Sequence, residues 1–444
     1  MCIRDRYIFS FFELLPGVGF TLRVDTFSMY FALLSAALWI LTSLYSIGYM
    51  RLLHEHAQTR YYTFFAICIT TTVGIAFADN LLTLFIFYEL LTIATYPLVI
   101  HEETPEALAA GRKYLIYLVT AGIFILFGMV VTYALTGTLE FSSSGILAGS
   151  AAPDVLRVLF IIFIIGFGTK AAIMPLHGWL PSAMVAPTPV SALLHAVAVV
   201  KAGIFGIVRV MFYIFGIDLL KELGVSLPLA TVASITIILA SLFALSQDNL
   251  KLRLAYSTVS QLSYIVLGLA LLTPDSITGG IVHIANQAFM KITLFFCAGA
   301  IFVQTGKRNL SDMYGIGRRM PFTMLAFTIA ALGMCGIPLT AGFVSKWYLC
   351  MGTLEAQEPI FLVVLLSSAL LNLAYFLPPI YNAYFRKPDR EDEEDVHRIN
   401  IFIRAPLVVT AVVSLLFGII PKAPMFPLEM AISIVNQLMG AAVI

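Results

Sequence analysis

Glu89, Lys170, Lys201, Lys291 and Lys346 each interrupt an apolar run: Phe87-Tyr88-Glu89-Leu90, Gly168-Thr169-Lys170-Ala171, Val199-Val200-Lys201-Ala202, Phe289-Met290-Lys291-Ile292 and Val344-Ser345-Lys346-Trp347. In a bilayer each such charge costs about 3 kcal/mol or more to insert, and five such costs are not borne for packing alone. The chemistry on offer is proton transfer. A lysine taken out of water releases its proton more readily, and a carboxylate beside it restores the hold. A Glu89–Lys170 pair that forms and breaks would therefore load and release a proton. The competing reading is a set of static ion pairs, or of side chains that snorkel to the interface. It weighs most for Lys346, which is nearest a helix end.

His177, His195 and His283 also sit in apolar contexts, and imidazole titrates at about pH 6.5. His283 lies eight residues before Lys291, two turns away on one helix face. His195 lies six residues before Lys201, off that face, so water or a kink must connect them. A lone buried histidine is commonly a satisfied core donor, and His177 reads either way. His54 and His56 read as solvated loop residues, too few for a metal site. Arg209 reads as snorkelling, Asp25 as a cap or interface residue, and the acidic run 390–395 as a solvated loop. Cys2, Cys68, Cys297, Cys335 and Cys350 show no CxxC spacing and read as packing residues, not ligands or disulfides.

These groups need elements that hold them in oil. The 444 residues are 60% hydrophobic and 11% charged, with mean hydropathy +0.94, against about 25% charged in a soluble domain. The net charge of +1 argues against a nucleic-acid binder, which needs a concentrated basic surface. There is no Gly-rich phosphate loop, nucleophile elbow or HExxH, so no enzyme site is expected. At about 20 apolar residues per crossing, twelve spans are expected, at roughly 26–50, 61–79, 80–100, 110–136, 155–183, 189–215, 227–247, 250–272, 277–305, 322–350, 358–385 and 402–421, with a short apolar tail at 427–443. The fold class is all-α and membrane-embedded. Odd-numbered turns hold fourteen basic residues, among them Lys251 and Arg253, and even-numbered turns with the tail hold three. The basic face is therefore cytoplasmic, and both termini fall outside. An outside start without a signal peptide leads to the expectation of an incomplete amino terminus.

Two stretches echo each other. Asp79-Asn80-Leu81 returns as Asp248-Asn249-Leu250, and Met174-Pro175-Leu176 as Ile337-Pro338-Leu339, at offsets of 169 and 163 residues. Ten residues past each Asp stand Glu89 and, in the second copy, Thr258. Each copy holds five spans, an odd number, so the second enters from the opposite face. Pro175 and Pro338 would break the fifth and tenth spans by removing a backbone donor. Freed carbonyls at that depth need protein or water, and matched breaks in inverted repeats mark transport paths. Chance similarity and ordinary proline kinks are the bland alternatives. The organisation is an amino-terminal segment 1–60, half-channels 61–215 and 227–385, and carboxy-terminal helices 386–444.

The run Lys170-Ala171-Ala172-Ile173-Met174-Pro175-Leu176-His177-Gly178-Trp179-Leu180-Pro181, then Ala186-Pro187-Thr188-Pro189-Val190-Ser191-Ala192-Leu193-Leu194-His195, resembles the signature of antiporter-like membrane subunits. These occur in respiratory complex I, membrane-bound hydrogenases and Mrp-type cation/proton antiporters. The resemblance extends from about residue 20 to 385, includes Leu254-Ala255-Tyr256-Ser257-Thr258-Val259-Ser260-Gln261, and looks most like the D-type branch of the Mrp antiporter subunits. It implies fourteen helices and two half-channels, so two helices are expected to be lacking here. It implies an ion-pair switch at Glu89 and Lys170, a central relay at Lys201, a terminal residue at Lys346, and polar axis positions at Lys291 and His283. Gln287 stands where some relatives carry histidine. The implied function is a proton-translocating subunit of a multisubunit sodium/proton antiporter. The alternative is the same machinery in a redox-driven quinone oxidoreductase or hydrogenase complex. No bound cofactor is implied. The implied partners are other membrane subunits, protons, sodium as a candidate ion, and lipid, in a prokaryotic plasma membrane.

Overall fold

A computed structural model describes residues 8–15, 18–387 and 400–440. Cys2, the acidic run 390–395 and Arg398 lie outside the described residues. The chain opens with an antiparallel hairpin, β1 (Ile8–Leu15) and β2 (Val18–Arg23), which the helical patterning did not anticipate. Helices follow in the order α1 (Thr26–Leu52), α2 (Gln58–Phe77), α3 (Leu81–Val99), α4 (Pro105–Thr136), α5 (Pro153–Lys170), α6 (Trp179–Ser182), α7 (Thr188–Ala196), α8 (Val199–Arg209) and α9 (Ile217–Leu223). Then come α10 (Ser226–Ser246), α11 (Leu250–Ala270), α12 (Pro274–Thr305), α13 (Ile316–Arg319), α14 (Pro321–Cys335), α15 (Ala341–Glu355), α16 (Pro359–Phe385), α17 (Ile401–Ile419) and α18 (Pro427–Leu438). Among the described residues nine helical stretches are long and apolar enough to cross a bilayer, so the protein is helical and membrane-embedded.

Local chemistry sets the boundaries. Asn80 caps α3 by accepting from the Thr83 amide, and Asn249 caps α11 from Leu252. The helices α4 and α12 are each 32 residues long. Each opens on a threonine cap (Thr104, Thr273) followed by proline, and each closes on a left-handed glycine (Gly137, Gly306). The chain then returns to its own beginning. Leu81 N donates to Leu139 O and Phe141 N to Asp79 O; 169 residues on, Leu250 N donates to Arg308 O and Leu310 N to Asp248 O.

Burial sorts these helices into an axis and a jacket. The stretch 188–215 is 94% buried, while α16 and α17 are 33% buried and turn leucine, valine and isoleucine outward. Tyr30 and Tyr45 of α1 donate to the Ile281 and Phe296 carbonyls of α12, fastening jacket to axis. Cys68, Cys297 and Cys335 are buried and free, consistent with packing roles.

Three expectations change. The fifth span does not run on to Pro175: α5 stops at Lys170, and Ala172 is left-handed (φ 58°). Pro175 lies inside the break, not at its start, and Lys170 ends a half-helix instead of sitting mid-span. The sixth span is cut between α7 and α8 at Val197–Ala198 with no proline present. Lys251 and Arg253 are not turn residues but belong to the first turn of α11. Pro338 lies in the break between α14 and α15, where the tenth span was expected to part.

Candidate functional site

Lys170 is buried at the carboxy-terminal end of α5, where helix carbonyls favour a cation. Its Nζ donates to Tyr88 O (2.8 Å) and Thr92 Oγ1 (2.9 Å) of α3 and lies 3.3 Å from the Tyr88 ring centroid. The expected Glu89–Lys170 ion pair is not closed in this structure, because α3 offers its own carbonyl, hydroxyl and ring to the ammonium. Glu89 remains the principal charge acting on Lys170. Its carboxylate lies over Gly122 of α4, where a Cβ would meet Glu89 Oε1 at 2.5 Å, and Oε1 has no hydrogen-bond partner among the described residues. The carboxylate is thus packed on Gly122 with one oxygen unbonded, close enough to Lys170 to act on it electrostatically.

Past α5 the freed Thr169 carbonyl accepts from the Trp179 indole (2.8 Å), and the Met174 amide donates to Thr236 Oγ1 (3.2 Å). His177 in this break is half-buried near the Tyr256 ring.

The centre of the protein is under-bonded. Lys201 in α8 is fully buried, and its Nζ has no hydrogen-bond partner among the described residues. The same holds for both ring nitrogens of His195 and both amide atoms of Gln287. Lys201 acts electrostatically on Lys291 and His283, and Lys291 acts on His195. Buried polar groups without partners are expensive, and here they gather beside the α7–α8 break.

Beyond it the polar groups connect. Lys291 Nζ of α12 donates to Ser257 Oγ of α11 (2.7 Å), and the Ser257 hydroxyl lies 3.2 Å from the Tyr375 hydroxyl oxygen of α16, to which it can donate. Tyr375 also bonds Asn372 Oδ1. Asn372 Nδ2 donates to Met334 O (3.2 Å), and Lys346 Nζ donates to that same carbonyl (2.6 Å). An unbroken polar chain therefore joins Lys291 to Lys346. Met334 O is available because α14 ends one residue later, at the second break. His283 bonds Ser345 Oγ (2.8 Å) and Gln261 Oε1 (3.1 Å), a parallel link from α12 to α11 and α15.

Residue reading missed Ser257, Asn372 and Tyr375, yet one signal was present. Pro379 has no N–H to offer the Tyr375 carbonyl four residues back. Arg253 Nη1 fills that place at 2.7 Å, and its other nitrogens reach Gln247 O and Leu245 O at the end of α10. Lys251 Nζ likewise donates to Ala186 O (2.7 Å), beside a cleft of about 430 Å³ lined also by Glu102, Lys307 and Arg308.

Arg209 does not snorkel. It is buried, its Nη1 lies 2.7 Å from Asp25 Oδ2, and its Nη2 donates to Ser28 Oγ. Asp25 caps α1 as expected, accepting from the Ser28 amide at 2.7 Å. Its charge is what keeps Arg209 inside.

The chain matches the family described as NADH:quinone oxidoreductase/Mrp antiporter, TM, over residues 78–372. It is 35% identical over 377 residues to the N-type subunit of NADH-quinone oxidoreductase from Desulforudis audaxviator, covering 84% of this chain and 74% of that protein. It is 28% identical over 403 residues to the D-type subunit of the Na(+)/H(+) antiporter from Bacillus subtilis, covering 90% and 80%. In structure it resembles a chain of the Mrp complex from Dietzia sp. (TM-score 0.85, 23% identity, 97% of this chain and 87% of that one). It also resembles a chain of the membrane-bound sulfane sulfur reductase, an archaeal respiratory membrane complex (TM-score 0.86, 26% identity, 97% and 86%).

Proposed function

From the premise that this chain belongs to the NADH:quinone oxidoreductase/Mrp antiporter transmembrane family, we propose that it is the proton-translocating subunit of a multisubunit sodium/proton antiporter in a prokaryotic plasma membrane. Its own residues carry protons, coupled subunits move the cation, and it holds no catalytic site. The single observation that carries the proton reading is the continuous chain Lys291–Ser257–Tyr375–Asn372–Met334 O–Lys346. The lysines and the Ser257 and Tyr375 hydroxyls can hand on a proton by rotating. Asn372 and the Met334 carbonyl only hold these groups in line, because Asn372 Nδ2 and Lys346 Nζ both donate to that carbonyl, so the last step to Lys346 needs water or a swing of its side chain.

The path proposed runs from the Glu89–Lys170 neighbourhood, through water around Lys201 and His195, to Lys291 and on to Lys346. The two half-channels at 61–215 and 227–385 are inverted repeats in this reading. It is supported by the backbone pairings that recur at 169 residues. Pro175 and Pro338 lie in the breaks next to Lys170 and Lys346; at the second, Lys346 takes the freed Met334 carbonyl, while Lys170 reaches α3 instead.

A second reading has its own support: the 35% identity to the quinone oxidoreductase relative of Desulforudis audaxviator favours the same path driven by electron transfer in a quinone-reducing complex. Replacing Lys170 with alanine in the assembled complex and measuring dissipation of a pH gradient in vesicles tests the path under either reading. Dissipation at the wild-type rate with normal assembly would sink it. Dependence of the wild-type rate on sodium, with no response to quinone, decides for the antiporter.

A further inference from the structure

Three side chains from two separate turns, none of them on the proposed lysine path, converge. The loop between α1 and α2 supplies Glu55 and His56, and the turn after α3 supplies His101. Their ligating atoms all lie within 4.8 Å of one another. Glu55 Oε2 is 3.8 Å from His101 Nε2 and 3.9 Å from His56 Nδ1, and the two imidazole rings stack with centroids 4.8 Å apart.

His101 is the telling member. Its side chain is 0% exposed, and neither ring nitrogen has a hydrogen-bond partner among the described residues. An unsatisfied buried imidazole is costly, and the Glu55 carboxylate, 3.8 Å from Nε2, is too far for a hydrogen bond. Zinc bonded at about 2.0–2.2 Å in a tetrahedron holds its ligand atoms about 3.4 Å apart. Side-chain rotations that move these atoms by less than about 1.5 Å would therefore close a three-ligand set. His56 is half exposed, which leaves an open side for entry and for a water as fourth ligand. The backbone is already tethered, since Arg60 pairs with Glu103 and donates to the His101 carbonyl.

We propose that Glu55, His56 and His101 form a binding site for a divalent transition metal, zinc above all, which pins the α1–α2 loop to the turn after α3. That turn continues into Glu102 and Thr104, which line the cleft beside Lys251. The site goes beyond the proton reading and uses none of its residues.

The test uses the full chain in its assembled complex, purified on a tag without histidine, stripped with EDTA and titrated with Zn²⁺ alone. Bound zinc is counted by mass spectrometry after gel filtration, and affinity is read by competition with a chromophoric chelator. The expected result is one zinc per copy of this chain. Affinity should fall at least tenfold in His56→Ala, an exposed position that spares the fold, and in His101→Gln, and should hold in His54→Ala. No zinc on the wild type, equal zinc on the His56 and His101 variants, or an equal loss in His54→Ala would each overturn the proposal.

Discussion

The two helix breaks settle their freed carbonyls in different ways. At the first, Thr169 O is taken by the neutral Trp179 indole, and Lys170 turns away to Tyr88 O and Thr92 of a neighbouring helix. At the second, Met334 O is taken by Lys346 itself, together with Asn372. The first half also owns a buried-side carboxylate, Glu89; at the corresponding place in the second stands Thr258, which donates to the Leu254 carbonyl of its own helix. On the proposed path, one half would rely on the Glu89 carboxylate beside its lysine, the other on hydroxyl groups held in line by Asn372 and Met334 O. Similar backbones need not oblige two halves to handle protons alike, and the side chain that meets the freed carbonyl is where this reading puts the difference.

That contrast can be broken experimentally. The largest effect is expected at the element both halves share. Lys201→Ala should cut proton transport in reconstituted vesicles by roughly 100-fold, the scale of losing a positioned proton carrier, because it removes the ammonium between them that no described residue holds by a hydrogen bond. Next, Glu89→Gln should cost roughly tenfold while leaving the fold intact, as a neutral isostere cannot pull on Lys170; an unchanged rate would mean that the first half does not depend on its carboxylate. Tyr375→Phe keeps the ring and deletes one hydroxyl, so transport should slow by about fivefold, in line with one lost hydrogen bond of about 1 kcal/mol. If the second half conducts as well without that hydroxyl, it is not a string. Trp179→Phe should leave transport within about twofold but lower thermal stability by about 1 kcal/mol in a melting assay, since the indole bond to Thr169 O is lost while the Ala172 amide still donates to that carbonyl.

Much of this was legible in residue types. Charged residues in apolar runs named Lys170, Lys201, Lys291 and Lys346 directly, and all are buried. The helix spacing held where capping residues were plain, as at Asn80 and Asn249. Three things were not legible. The cut at Val197–Ala198 carries no proline or glycine, so only packing betrays it. Arg209 looked like an interface residue because its partner, Asp25, lies 184 positions away. Whether Glu89 touches Lys170 depends on a side-chain torsion, which no spacing encodes. The Pro378-Pro379 pair was readable as a missing donor, and its consequence, Arg253 at Tyr375 O, needed the fold to supply the third helix.

The matched helices α4 and α12 carry a further implication. At 32 residues each, and about 1.5 Å per residue, they measure about 48 Å, well over the ~30 Å of hydrocarbon they must cross. Either they lean or their ends stand clear of the oil. In both cases their threonine–proline openings and glycine closings act as a pair of rulers. They set where each helix stops, so the length beyond the hydrocarbon has to be taken up by tilt or by turns standing among the headgroups.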